Sequence, residues 1–99
     1  MSNFQNTAGM IAKKYNLDAP AMARFVDLVS EIGELGKELL LGSGYGNEEQ
    51  QITDNTKEEM GDVAFALALL ANALSLDLDE CFAASVAKYE KRWAKNGQK

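Results

Sequence analysis

Apolar residues return at intervals of three and four along most of this chain, and no stretch alternates apolar with polar, so helices are expected and strands are not. Phe4, Ala8, Ile11, Ala12 and Tyr15 mark a first helix over about 4–15, closed by the turn Asn16-Leu17-Asp18. Asp18 or Ala19 precedes Pro20, which suits the opening of a helix because its missing N–H has no partner to lose there. The second helix, over about 19–41, carries Phe25, Leu28, Val29, Ile32, Leu35, Leu39 and Leu40 as a broad stripe, with Gly42 as its expected cap. Residues 42–54 are rich in Gly, Ser, Asn, Glu and Gln and read as a mobile or ligand-ordered loop. Asp54, Asn55 or Thr56 then caps a third helix over about 55–75. From Val63 to Leu74 that helix is apolar all round, which predicts burial on every side in a bundle that continues into a partner subunit. Asp77 or Asp79 caps a fourth helix over about 79–95, with Phe82, Ala83, Val86 and Tyr89 on one face. The expected architecture is all-α: one domain spanning 1–99, a four-helix bundle-like subunit assembling into a homodimer or homotetramer.

Composition narrows the class. Ninety-nine residues, 46% hydrophobic and 25% charged, make a single globular domain with a modest core, for which association is a natural way to hide more apolar surface. A net charge of −5, with basic residues gathered only near the C-terminus, argues against binding duplex nucleic acid through its phosphates. The longest apolar run falls short of a membrane span. One cysteine, Cys81, forms no internal disulfide, and no secretory signal opens the chain, so a cytoplasmic location is expected.

The candidate chemistry lies in two acidic pairs, Glu31/Glu34 and Glu59/Asp62, each at spacing i, i+3 and so on one helix face. Asp27 and Glu38 extend the first pair down the same side, and like charges at such spacings destabilise an isolated helix by roughly 0.2–0.5 kcal/mol per pair. Glu59 and Asp62 lead straight into the most apolar segment, where an uncompensated carboxylate is costly. A bound cation would offset both penalties, and the competing explanation of the four carboxylates is a solvated face in an acidic protein. The chain has no histidine, which excludes the Glu-x-x-His di-iron pattern, and too few sulfur ligands for zinc. An all-oxygen set suits Mg²⁺ or Mn²⁺, and Mg²⁺ is commonly completed by waters and substrate phosphates.

Ser30-Glu31-Ile32-Gly33-Glu34-Leu35 followed by Glu58-Glu59-Met60-Gly61-Asp62-Val63 resembles the Glu-x-x-Glu and Glu-x-x-Asp signature of the MazG-like nucleotide pyrophosphohydrolases, an all-α superfamily. The similarity runs from about Pro20 to Trp93. It implies Mg²⁺-dependent cleavage of a nucleoside triphosphate between the α and β phosphates, giving a monophosphate and pyrophosphate, in a house-cleaning role toward non-canonical or deoxy nucleotides. By that resemblance Glu31, Glu34, Glu59 and Asp62 are metal ligands, and Glu31 or Glu34 is the candidate to orient or deprotonate the attacking water. Asn72 resembles a position near the nucleotide's sugar or base, although a buried amide bonded to backbone explains it equally well. Lys88, Lys91 and Arg92 resemble the family's phosphate-contacting basic stretch, but Arg92 stands where an Asn often follows the lysine, and no proline follows Trp93. Tyr45, Tyr89 and Trp93 are candidates for stacking on a base or for core packing. A reading from another class is a non-catalytic oligomerisation or regulatory module whose acidic face pairs with a partner's Lys and Arg residues.

Overall fold

A computed structural model describes residues 3–97 and contains four helices: α1 (Asn3–Lys14), α2 (Ala21–Gly42), α3 (Asp54–Ala73) and α4 (Leu78–Gly97). The described residues include no strand. The caps explain the small differences from the expected boundaries. Pro20 sits at the N-cap of α2 in extended conformation rather than inside its first turn, and its carbonyl accepts from Arg24 N at 3.1 Å. For α3 the cap is Thr53, one residue earlier than expected, because Thr53 and Thr56 satisfy each other's backbone N–H through their hydroxyls. Asp77 Oδ1 accepts from Asp79 N at 2.9 Å, which opens α4 at Leu78.

Gly42 closes α2 as its last helical residue. A Cβ there would lie 2.7 Å from the Gln50 side chain and 2.8 Å from Gln51 O, so only glycine lets the following segment fold back over the helix end. Gly44, Tyr45 and Gly46 all have positive φ, and Gln51 N donates to Gly42 O at 2.8 Å. The segment expected to be mobile or ordered by a ligand is thus a coil with its own backbone hydrogen bonds.

The centre is α3, which packs against both α1 and α2. Its buried residues Ala66, Ala68, Leu69 and Ala71 are mostly small, so neighbouring backbones approach closely, and Ala68 with Ala8 and Leu69 forms the innermost cluster. Among the described residues the largest fully buried side chain is polar: Gln5, at 0% exposure, shares the α1 face with Ala8. Gln5 Nε2 donates to Asn72 Oδ1 at 2.9 Å and to Leu76 O at 2.8 Å, while Leu78 N donates to Gln5 Oε1 at 2.9 Å. One amide therefore ties α1 to the α3–α4 connection with its polar atoms satisfied.

Two expectations change. Helix α3 is not buried on every side, because Met60, Leu67 and Leu74 remain 56%, 37% and 49% exposed on a seven-residue repeat. The bundle of one chain comprises three helices rather than four. The axes of α3 and α4 meet at 100°, and beyond Leu78, which touches the core, α4 has no buried residue among those described. Among the described residues, no single helix is long and apolar enough to cross a membrane.

Candidate active site

The contact between α2 and α3 carries the acidic residues to its own edge. Glu31 stands one turn beyond buried Leu28, and Asp62 one turn before buried Ala66, so packing those apolar residues brings the carboxylates together. Glu31, Glu59 and Asp62 each offer an oxygen, and the three oxygens lie within 4.8 Å of one another. Glu31 and Glu59 are half-buried and Asp62 is exposed. Glu59 Oε2 is buried with no hydrogen-bond partner.

Burial, then the charges of Asp62, Glu34, Glu31 and Glu38 in that order, hold the Glu59 carboxyl above its ordinary 4.5. The cause is mutual: desolvation penalises the anion and every neighbouring charge repels it. A divalent cation reverses both effects. With only carboxylate oxygens in the cluster, the set fits a hard ion such as Mg²⁺ or Mn²⁺. Glu34 is exposed and stands outside the three-oxygen cluster, and it acts on Glu59 through its charge.

The cluster opens onto a cleft. A hollow of about 230 Å³ is lined by Arg24, Asp27, Glu31, Asp62, Phe65 and Leu69 among others. A second, of about 310 Å³, lies beside it against α1, with Lys13, Asn16 and Asn72 in its wall, and the two share Arg24 and Leu69. Arg24 donates to Leu17 O and is the cation that lines both hollows on the side of Asp27 and Glu31. Sequence reasoning passed over it. The signal was there, since Arg24, Asp27 and Glu31 follow at i, i+3 and i+7 and share a face.

Asn72 is half-buried; besides accepting from Gln5, its Nδ2 donates to Gln5 O at 3.4 Å. It therefore holds the helices together while also lining the second hollow. Lys88, Lys91 and Arg92 are exposed on α4, and the fold does not bring them to the carboxylates of their own chain. Lys88 Nζ lies 4.6 Å and Arg92 Cζ 5.3 Å from the Tyr89 ring centroid, and Tyr89 stacks on Trp93 at 5.5 Å. Tyr45 lies in the turn after α2, 67% exposed.

The profile of the MazG nucleotide pyrophosphohydrolase domain matches residues 24–95, from the first turns of α2 to the last described side chain of α4. The chain belongs to the MazG nucleotide pyrophosphohydrolase family. Both acidic pairs, the cleft-lining Arg24 and the basic part of α4 fall inside the MazG match, whereas α1 with Gln5 lies before it. A Bacillus subtilis (strain 168) protein, uncharacterized protein YpjD, is 35% identical over 74 residues, which cover 72% of this chain and 65% of that protein. The chain thus spans just under two thirds of that relative's length. No solved structure matches the chain.

Proposed function

We propose that this chain hydrolyses nucleoside triphosphates between the α and β phosphates, releasing a nucleoside monophosphate and pyrophosphate, with Mg²⁺ or Mn²⁺ as cofactor. The observation that carries this reading is the convergence of Glu31, Glu59 and Asp62 within 4.8 Å, with an unpartnered buried oxygen on Glu59, in a chain of the MazG family. When bound, the metal neutralises phosphate oxygens and lowers the pKa of a coordinated water. Glu31, Glu59 and Asp62 would hold it, and Glu34, exposed and outside the three-oxygen cluster, would be the fourth carboxylate of the set. Glu31 or Glu34 takes the proton from the attacking water, whose oxygen bonds to phosphorus as the bridging P–O bond breaks toward pyrophosphate. Arg24, in the wall of both hollows, balances polyphosphate charge, and the hollow beside Asn72 receives the sugar or base.

On this reading the substrates are non-canonical or deoxy nucleotides in the cytoplasm, the enzyme is a homodimer or homotetramer, and neither duplex nucleic acid nor membrane is a partner. Incubation with a panel of triphosphates and Mg²⁺, with products resolved, tests it. Pyrophosphate and monophosphate are expected from at least one triphosphate, and EDTA is expected to abolish the reaction. Orthophosphate and diphosphate as products reject the assigned bond. Inertness toward the whole panel, with an acidic face whose partner binding is lost in monovalent salt, would favour the non-catalytic module instead.

A further inference from the structure

Gln5 does more than tie α1 to the core: it decides which way the Asn72 carboxamide faces. The two ends of an amide are not equivalent, since the oxygen only accepts and the NH₂ only donates. Around Gln5 the backbone makes that choice. Leu78 N has only a proton to give and gives it to Gln5 Oε1 at 2.9 Å, while Leu76 O has only lone pairs and accepts from Gln5 Nε2 at 2.8 Å. Ser75, in the left-handed region with φ 56°, follows α3 in the turn that leaves both backbone groups facing α1. With Gln5 so assigned, the second proton of its Nε2 reaches Asn72 at 2.9 Å and requires an oxygen there. The Asn72 amide is therefore held with Oδ1 toward Gln5. Because Gln5 is fully buried, water does not compete for these bonds.

The other end of the Asn72 amide is left on the side of Gly9. A Cβ on Gly9 would stand 3.1 Å from Asn72 Nδ2, closer than such contacts ordinarily come, so the missing side chain at position 9 is what lets the amide sit there. Nδ2 gives one N–H to Gln5 O at 3.4 Å, a long bond, and its second N–H has no partner among the described residues. Gly9 and Asn72 both line the hollow of about 310 Å³, with Lys13 and Asn16 beside them. Gln5 and Gly9 belong to α1, which precedes the family match at residues 24–95. The helix outside the match thus orients a side chain inside it.

We propose that Gln5 is a positioning residue for ligand recognition, with Gly9 as its counterpart. Together they hold Asn72 so that the hollow meets an N–H donor, and the hollow takes an acceptor oxygen of a nucleoside, on its sugar or its base. An Asn72 turned the other way would set its own oxygen against that oxygen and leave both unpaired, a mismatch that discriminates strongly between ligands. The fixed orientation rests on the hydrogen bonds alone. Only the identity of the occupant, a nucleoside, rests on the pyrophosphohydrolase reading.

The test is a chemical-shift titration of ¹⁵N-labelled full-length protein in the presence of Mg²⁺, with the Asn72 side-chain protons assigned by their absence from Asn72→Asp. A panel of nucleoside monophosphates is expected to contain at least one that moves them. Ribose 5-phosphate moving them equally places the acceptor on the sugar, and its failure to do so places it on the base. Movement by inorganic phosphate alone, or by no member of the panel, overturns the proposal. Gln5→Glu keeps the size and the acceptor for Leu78 N but removes the donor to Asn72 Oδ1. It is expected to weaken monophosphate binding about tenfold, roughly the worth of one hydrogen bond, with Mg²⁺ binding unchanged. A merely structural Gln5 would lower Tm and leave the dissociation constant of the folded protein as it was, and that result overturns the proposal. Should Gln5→Glu fail to fold, Gly9→Ala decides. It retains every side-chain donor and acceptor, favours the helix and presses only on Nδ2, so an undiminished Tm is expected with monophosphate binding weakened about fivefold. Unchanged binding in Gly9→Ala overturns the proposal. None of these readouts involves turnover: ligand-induced shifts at Asn72 that depend on Gln5, without pyrophosphate release from any triphosphate, would leave the positioning role standing and remove the catalytic reading.

Discussion

Helices α3 and α4 are each 20 residues long and differ in almost everything the fold does with them. α3 buries Ala66, Ala68, Leu69 and Ala71, whereas α4, which carries Phe82, Tyr89 and Trp93, buries no described residue. The larger apolar content per side chain thus lies on the helix that is outside. An aromatic residue removes 150–250 Å² from water when covered, so it contributes most where two surfaces meet. Alanines contribute little area but allow the backbone approach that holds α2 and α3 close enough for Glu31, Glu59 and Asp62 to converge. Small residues bring the acidic residues together, whereas the large ones on α4 stay exposed in the single chain.

The largest expected effect falls on the α3 side of this comparison. Glu59→Gln and Asp62→Asn should each lower pyrophosphate release about 100- to 1,000-fold, since even partners behind a metal ligand are worth 10–100-fold. Secondary structure by circular dichroism should be unchanged. Full activity in either variant would remove that carboxylate from the site.

Stability should separate the two helices as well. Leu69→Ala removes a buried side chain beside Ala8 and Ala68 and should cost about 2–5 kcal/mol by denaturant unfolding at any protein concentration. Trp93→Ala should cost less than about 0.5 kcal/mol in dilute monomer, where its ring is exposed. It should lower Tm only at concentrations where copies associate. Equal, concentration-independent losses would place Trp93 in its own chain's core.

The smallest effect concerns charge at Glu59. Its folded-state carboxyl is held above 4.5, so the folded protein favours the protonated form, and stability present below pH 4.5 is lost as pH rises through the raised value. Metal-free Glu59→Gln should therefore melt at or above wild type at pH 7, with the difference closing near pH 4. Glu34→Gln should likewise leave the metal-free Tm level or raise it while weakening Mg²⁺ binding. Added Mg²⁺ should stabilise wild type more than either variant. A variant that melts lower at pH 7 and binds Mg²⁺ undiminished would make its carboxylate a structural partner.

Much of this was legible in the residues. Helical periodicity located four helices to within a few positions, because a stripe at intervals of three and four has one geometric solution. The two acidic pairs, their spacing and the absence of histidine pointed to a candidate set of oxygen ligands, since ligand chemistry is a property of side-chain type. The all-round apolar character of Val63 to Leu74 predicted burial on every side, which the single chain does not give, since Leu67 and Leu74 stay exposed. Tertiary structure alone decided which members of a pair converge: Glu31, Glu59 and Asp62 meet while Glu34 stays at the margin, because packing angle and helix rotation are set by contacts such as Leu28 and Ala66 rather than by spacing. It alone buried Gln5, whose amide reads as surface until its partners Asn72, Leu76 and Leu78 are assembled around it from 67 to 73 residues away. It alone set α4 at 100° to α3, a direction fixed by the short capped connection and by what the core does not cover. Local sequence dictates which face of a helix is apolar, whereas what that face meets depends on the path of the whole chain.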